Sequence, residues 1–151
     1  MSANTFVRCG QRHWHWGRYG AAGLLITDGA RVVLQHRSIR THEGGAWAFA
    51  GGARERHETA RDAALREAAE ETGLDHTAVK TGAEWVDDHD GWTYTTVLAQ
   101  AAPDLLLQPI NFESTEVRWW AIDEVAGLKL HSGFAAAWPT LRELIAEHYG
   151  S

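Results

Sequence analysis

The segment Gly51–Leu74, GGARERHETARDAALREAAEETGL, combines a double glycine, a short charged loop and a run of residues rich in carboxylates. Thr59–Thr72 consists largely of Ala, Glu, Arg and Leu, which favour helices, and a glycine follows as a natural stop. In a helix, residues three or four positions apart lie on the same face. Three acids are spaced in this way: Glu67, Glu70 and Glu71.

This acidic face continues a stripe of small residues, since three alanines precede the glutamates on the same side of the predicted helix: Ala60, Ala63 and Ala64. Clustered carboxylates repel one another unless a cation lies among them. Groups of oxygen ligands are what Mg²⁺, Mn²⁺ or Ca²⁺ prefer. A solvated helix surface, on which Arg66 pairs with Glu70, is the alternative interpretation, and the helix alone does not decide between the two.

The spacing around the helix decides the matter. Gly52 is followed after five residues by Glu58, and after seven more by the run REAAEETGL that begins at Arg66. This block, Gly52–Leu74, resembles the signature of the Nudix hydrolase family. The chain departs from the usual pattern at three positions, none of which removes a candidate ligand: Ala68 stands in place of Ile, Leu or Val, Ala50 in place of a common proline, and His57 in place of a common glycine.

The resemblance implies an enzyme that uses a divalent cation to cleave a phosphoanhydride bond in a nucleoside diphosphate linked to another group. It implies that Glu67, Glu70 and Glu71 are metal ligands and that one of these acids also serves as general base, with Glu67 as the first candidate. It further implies that a backbone carbonyl within Gly51-Gly52 helps to hold the ion. The expected cofactor is Mg²⁺, with Mn²⁺ as the alternative.

Other candidates support this site from outside the acidic face. Arg66 is expected to hold the acids in place, and Glu58 to steady the site from the loop, although a carboxylate there also suits the helix dipole. Arg37 is either a ligand for a substrate phosphate or an exposed residue at the end of a strand. Glu113 is the preferred additional metal ligand, because it enters a predicted strand near the mouth of the site, and Glu116 is its rival.

The substrate is less determined than the reaction. Trp92 adjoins a polar turn and is expected to offer an exposed ring for stacking on a base. The proline typical of ADP-ribose hydrolases is absent, and Tyr94 lies too late for the diadenosine polyphosphate pattern. The remaining resemblance is to pyrophosphohydrolases that convert a nucleoside triphosphate, oxidised or not, into a monophosphate and pyrophosphate. Hydrolysis of a nucleotide sugar, ADP-ribose or a dinucleotide, and an inactive nucleotide-binding regulatory module, remain alternatives.

Composition limits the class of protein. The chain has 151 residues, 44% of them hydrophobic and 23% charged, as expected for one globular domain. A net charge of −6 argues against binding a nucleic-acid polymer or an anionic membrane. The single cysteine, Cys9, permits no internal disulfide and is expected to be a passive thiol in a reducing compartment, so a cytoplasmic protein is predicted. It is expected to act as a monomer or homodimer on a small nucleotide.

Residues 1–12 show no periodic pattern and are predicted to be a loose N-terminal segment. Alternating and turn-bounded segments follow, and they predict one domain over 13–151. Helices are predicted over Thr59–Thr72, Asp123–Ala126 and Phe134–His148, with Pro139 causing a kink or a later start near Trp138. The fold class is α/β, and the resemblance implies a Nudix-type α/β/α sandwich with a mixed sheet. Strands are predicted over His13–Trp16, Tyr19–Thr27, Arg31–His36, Trp47–Phe49, Val79–Val86, Trp92–Gln100 and Thr115–Ile122.

Overall fold

The computed structural model of the chain describes residues 6–8, 14–16 and 19–150. Strands β1 (Phe6–Arg8) and β2 (Trp14–Trp16) pair with each other in a small antiparallel sheet. Three residues of the segment expected to be loose are therefore in a strand, and the predicted strand over the next segment is confirmed for Trp14–Trp16. Cys9 and His13 lie outside the described residues.

The main sheet carries the rest of the fold. Its β3 and β8 run parallel, and its other pairs run antiparallel, which confirms the predicted mixed sheet. The spatial order is β5-β4-β3-β8-β7, with β6 also beside β3 and β9 also beside β4. Its strands are β3 (Ala21–Thr27), β4 (Arg31–Arg37), β5 (Trp47–Ala48), β6 (Ala50–Ala53), β7 (Val79–Asp88), β8 (Thr93–Ala101) and β9 (Ser114–Ala121).

Helices cover both faces of this sheet, as the α/β/α prediction requires. Helix α1 (Ala60–Thr72) places Ala63, Ala64 and Ala68 on one face, each at most 1% exposed, in a core with residues of β3 and β8. Helices α2 (Ile122–Val125) and α3 (Ser132–Tyr149) contribute to the core on the opposite face. Because alanine side chains are small, α1 lies close to the sheet, and the acids beside them are held near the strands.

The two ends of α1 are fixed by caps. The hydroxyl of Thr59 accepts a hydrogen bond from the backbone N–H of Asp62 at 3.0 Å. Gly73 has a left-handed backbone with φ of 74°, and its N–H donates to the carbonyl of Ala69 at 2.9 Å. These caps confirm the predicted helix to within one residue and set the register of its acidic face.

Two regions differ from the sequence prediction. The strand expected over Trp47–Phe49 ends at Ala48. The double glycine that follows lies in a separate strand, β6, which pairs with β3, Gly51 with Gly23 and Gly52 with Ala22. Strand β7 continues to Asp88, two residues beyond its predicted end at Val86.

Helix α3 starts at Ser132 and contains Pro139, so the predicted later start near Trp138 is wrong. Proline removes one helical hydrogen bond, but the buried side chains of Phe134, Trp138 and Leu141 hold this segment against the sheet. Within the described residues, no helix combines the length and apolar character that a membrane span needs.

Candidate active site

The acidic face of α1 lies directly against the glycines of β6. A Cβ atom added to Gly52 would lie 2.6 Å from Cδ of Glu67, so any other residue there would force the two elements apart. The neighbouring N–H of Gly51 acts on the carboxyl group of Glu71 and favours a lower pKa there. The double glycine therefore brings backbone polar groups into contact with the acids, while its predicted role as a carbonyl ligand remains a prediction.

Glu71 occupies the most enclosed position among the acids. Its Oε1 accepts a hydrogen bond from Nε2 of Gln35 at 3.1 Å, whereas its Oε2 is buried without a partner among the described residues. The carboxyl groups of Glu67 and Glu71 lie within hydrogen-bonding reach of each other. Burial, followed by the negative charges of Glu67 and Glu113, raises the pKa of Glu71 well above its ordinary value of 4.5.

The pKa of Glu67 is also raised. Burial is the main cause, and hydrogen bonding to Glu71 and the charge of Arg66 oppose it. Two like-charged carboxylates at this separation are unfavourable unless a proton or a cation accompanies them. The pair therefore has the electrostatic character expected of a cation site.

Arg66 braces one side of the acid pair. Its Nε and Nη2 atoms donate to the two carboxylate oxygens of Glu58 at 2.8 and 2.9 Å, and Nη2 also donates to the carbonyl of Ala53 at 3.0 Å. Its Nη1 atom donates to Glu67 at 3.0 Å and lies 3.4 Å from Glu70. The hydrogen bonds from Arg66 hold the pKa of Glu58 below its ordinary value. Arg66 thus orients Glu67 more closely than Glu70, the partner expected from helical spacing.

Glu70 stands apart from the other two acids, since its side chain is 56% exposed. Across residues 6–8, 14–16 and 19–150, no three His, Cys, Asp or Glu side chains converge closely enough to hold a metal ion. The expected convergence of three glutamates is therefore present only for Glu67 and Glu71. The residues still fit a divalent cation, because Glu71 Oε2 lacks a partner among the described residues and the exposed Glu70 carboxylate lies on the same helix.

The two rival acids beyond α1 differ in where they lie relative to the acid pair. Glu113 precedes β9, its carbonyl accepts from the N–H of Ser38 at 2.8 Å, and its charge acts on Glu71. Glu116 of β9 pairs with His36 of β4. His36 follows Gln35, and Gln35 is the residue that contacts Glu71. Because successive strand residues face opposite sides, Glu116 points away from the acid pair. This geometry favours Glu113, as expected.

Arg37 ends β4 and is tied to the following loop. Its Nε and Nη2 atoms donate to the carbonyl of His42 at 3.0 and 2.8 Å. The loop is tied in turn to α3, because the Glu43 carboxylate accepts from the N–H and the hydroxyl of Ser132, both at 2.8 Å, and lies 3.0 Å from Nε2 of His131. We call these contacts the Glu43 clip. The guanidinium of Arg37 is therefore partly exposed and held in one orientation by the loop. This arrangement suits a phosphate ligand, and that role stays a prediction.

Trp92 is not the exposed ring that the sequence suggested. It is 8% exposed and shares a small core with Ala21 and Tyr94. The indole of Trp92 is buried although a polar turn lies beside it, because burying an indole removes a large apolar area from water. The hydroxyl of Tyr94 instead lies over two paired glycines, 2.6 Å from the position a Cβ would take on Gly51 and 2.3 Å from that on Gly23.

Sequence reasoning missed three polar residues around this site. The signal for Gln35 was a polar residue directly after the apolar run Val32–Leu34, at an inward-facing position of its strand. Tyr94 carried no separate signal, because a tyrosine in a strand is ordinary. Glu43 adopts a positive φ of 54°, which the adjacent glycines Gly44 and Gly45 only hint at.

Comparison with known proteins agrees with this arrangement. The sequence model of the NUDIX domain matches residues 17–144. A Mycobacterium tuberculosis protein named "Putative 8-oxo-dGTP diphosphatase 3" is 49% identical over 139 residues, which is 85% of this chain and 64% of that protein. A Bifidobacterium longum "Nucleoside triphosphate pyrophosphatase/Nudix hydrolase fusion protein" is 35% identical over 87% of this chain and 29% of its own length. The chain thus spans less than two thirds of these curated relatives.

Solved structures show the same fold. The crystal structure of RenU, a Nudix hydrolase from M. smegmatis, superposes with a TM-score of 0.88 at 44% identity and covers 96% of each chain. A C. elegans Ap4A hydrolase complex, at 17% identity, has a TM-score of 0.67 over 84% of this chain and 98% of its own, and shares the fold alone. With a family match over most of its length and a relative of this identity, the chain belongs to the Nudix hydrolase family.

Proposed function

We propose that this protein hydrolyses a phosphoanhydride bond of a nucleoside triphosphate, giving a nucleoside monophosphate and pyrophosphate. The observation that carries the proposal is the pair of half-buried carboxyl groups of Glu67 and Glu71, which raise each other's electrostatic cost and are held by Arg66 and Gln35 respectively. Structural acids normally receive donors for each buried oxygen, whereas Glu71 Oε2 has none among the described residues. A divalent cation bound here would neutralise phosphate charge and favour attack by water.

The chain's own residues supply positioning and proton transfer. Glu67, held by Arg66 on one side and contacting Glu71 on the other, is our choice for the base that takes a proton from the attacking water. Water adds to phosphorus, the bridging P–O bond breaks, and the leaving phosphate carries away the electron pair. Glu67, Glu70, Glu71 and Glu113 are the acids proposed to hold the cation, with Gly51-Gly52 supplying a backbone carbonyl. Mg²⁺ is the proposed ion, and Mn²⁺ the alternative.

Arg37 is proposed to bind a substrate phosphate. Two of its guanidinium nitrogens are anchored to the loop carbonyl of His42, which fixes the orientation of the third. A guanidinium held in this way binds a phosphate at a smaller entropic cost than a free side chain.

The substrate proposal rests on relatives. The M. tuberculosis protein that is 49% identical to this chain carries a name that specifies 8-oxo-dGTP, so an oxidised purine nucleoside triphosphate is the first compound to test. A nucleotide sugar, ADP-ribose or a dinucleotide would present the same pyrophosphate to the acids and is the alternative. The distinction depends on the base and the group beyond the phosphates.

The test is a substrate panel with Mg²⁺ or Mn²⁺: 8-oxo-dGTP, dGTP, the other nucleoside triphosphates, ADP-ribose, a nucleotide sugar and a diadenosine polyphosphate, with products separated by chromatography. We expect the highest kcat/KM for a triphosphate. Hydrolysis in ¹⁸O-labelled water then locates the attacked phosphorus, since label in the monophosphate indicates the α-phosphorus and label in pyrophosphate the β-phosphorus. Turnover of none of these compounds, together with tight nucleotide binding, would favour the inactive regulatory module instead.

A further inference from the structure

Gln35 is a buried polar residue in the central part of β4 that the proposed reaction does not yet use. It is 5% exposed, and the two residues that precede it on the strand, Val33 and Leu34, are buried and apolar. It pairs with Ala48 on one side and Val117 on the other. An apolar side chain would suit this position better if packing were its only purpose.

The amide of Gln35 is directed at the acid pair. Its Nε2 donates to Glu71 Oε1 at 3.1 Å, while its Oε1 is buried with no hydrogen-bond partner among the described residues. A buried polar atom without a partner destabilises a fold. The chain therefore accepts a local cost in order to place a neutral donor against Glu71.

A neutral donor is what this position requires. Arg66 already gives its charge to Glu58 and Glu67. A second cationic side chain beside Glu71 would orient it equally well but would cancel the negative charge that attracts a metal ion. The amide of Gln35 fixes one oxygen of Glu71 and leaves both the charge and the unpartnered Oε2 available.

We propose that Gln35 is a positioning residue that holds Glu71 in the orientation needed for cation binding and thereby sets the affinity of the acidic face for the divalent ion. This inference rests on the proposed function, since it assumes that the acids bind a cation. Partners that orient metal ligands commonly account for ten- to hundredfold in affinity.

The test measures Mn²⁺ binding to the protein without substrate by isothermal titration calorimetry. Gln35→Leu removes the donor at similar volume, and Gln35→Met serves the same purpose if the leucine variant does not fold. We expect Kd for Mn²⁺ to rise about tenfold in either variant, and the metal concentration for half-maximal activity to rise in parallel while kcat at saturating metal changes less. The matched control is Val33→Ala, two positions before Gln35 on the same strand and face but with no polar group that could orient Glu71, which should lower Tm without changing Kd.

The outcomes separate the two proposals. Wild-type affinity in both Gln35 variants, with normal binding by the wild-type protein, would overturn the role of Gln35 alone. An equal loss of affinity in Val33→Ala would also overturn it, because general destabilisation would then explain the effect. If the wild-type protein itself binds no Mn²⁺, the proposed function and the role of Gln35 both fail.

Discussion

Glu43 and Glu71 are two partly buried glutamates in opposite environments. The carboxylate of Glu43 receives two hydrogen bonds from Ser132 and lies 3.0 Å from His131. Burial opposes its ionisation, but these donors and the neighbouring histidines hold the pKa of Glu43 below its ordinary value. Glu71 faces another carboxyl group, keeps one oxygen unpartnered, and has a raised pKa.

The difference separates Glu43, an acid that stabilises the fold, from Glu71, an acid that we propose binds a cation. Each oxygen of Glu43 has a donor supplied by the chain, so its charge is used in joining a loop to α3. The carboxyl group of Glu71 has no cationic partner that would favour its ionised form, so its ionisation is costly unless a cation binds there. Substitutions at the two positions should therefore have opposite consequences for stability and for activity.

The largest expected effect is on turnover. Glu71→Gln keeps the shape of the side chain while removing a charged ligand, and we expect kcat to fall at least a hundredfold, or about 2.7 kcal/mol of barrier. Tm should stay unchanged or rise, because one repulsive charge beside Glu67 is gone. Glu43→Gln is the control and should retain most of the wild-type kcat. Near wild-type turnover in Glu71→Gln would place the site elsewhere.

A cation should relieve the repulsion at the acid pair. At a free Mg²⁺ concentration of about thirty times Kd, binding should add about 2 kcal/mol to the free energy of unfolding. Thermal denaturation with and without EDTA measures this, and activity should be lost in EDTA. The increase should disappear in Glu71→Gln and persist in Glu43→Gln. Equal increases in both variants would mean that the ion binds somewhere else.

Breaking the Glu43 clip should affect stability and substrate binding rather than chemistry. Glu43→Ala removes the acceptor for the first backbone N–H of α3 and for the Ser132 hydroxyl, a change that costs about 1 kcal/mol for a typical helix cap. Because the clip holds the loop that anchors Arg37, KM for the nucleotide should rise while kcat changes little. Chemical denaturation and steady-state kinetics test the two parts. A fall in kcat with unchanged KM would contradict this assignment.

The smallest effect is the pH dependence of stability in EDTA, and its sign should differ between the two acids. The pKa of Glu43 is lowered from 4.5, so its contribution is present above pH 4.5 and is lost as pH falls through the lower folded value. The pKa of Glu71 is raised from 4.5, so its contribution is present below pH 4.5 and is lost as pH rises through the higher folded value. Tm profiles of the two Gln variants should flatten at opposite ends. Flattening at the same end in both would refute the contrast.

The sequence predicted the parts of this molecule that local chemistry controls. The bounds of α1 followed from Thr59 and Gly73, and the shared face of Glu67 and Glu71 followed from helical spacing. The mixed α/β sheet with helices on both faces followed from the family resemblance and was confirmed. Helical spacing also predicted the Arg66–Glu70 contact, although this contact is the longest of the Arg66 pairs.

What the sequence could not predict depends on contacts between distant segments. Trp92 is buried because β3 lies beside β8, a parallel pairing with no signal in the residues near Trp92. The start of α3 at Ser132 depends on Glu43, a loop residue far away along the chain. The contact of Gln35 with Glu71 could not be predicted, because it forms only when α1 packs on the sheet.

The parallel pairing of β3 with β8 also has a consequence for how the chain folds. It joins Ala21 to Tyr94, and all of α1 lies in the loop between them. Closing a long loop costs entropy that only the completed contact repays, so such pairings form late in folding. Helix α1 can form from its own caps and alanines before β3 pairs with β8. In refolding experiments, the helical circular dichroism signal should therefore return before the ability to bind Mn²⁺.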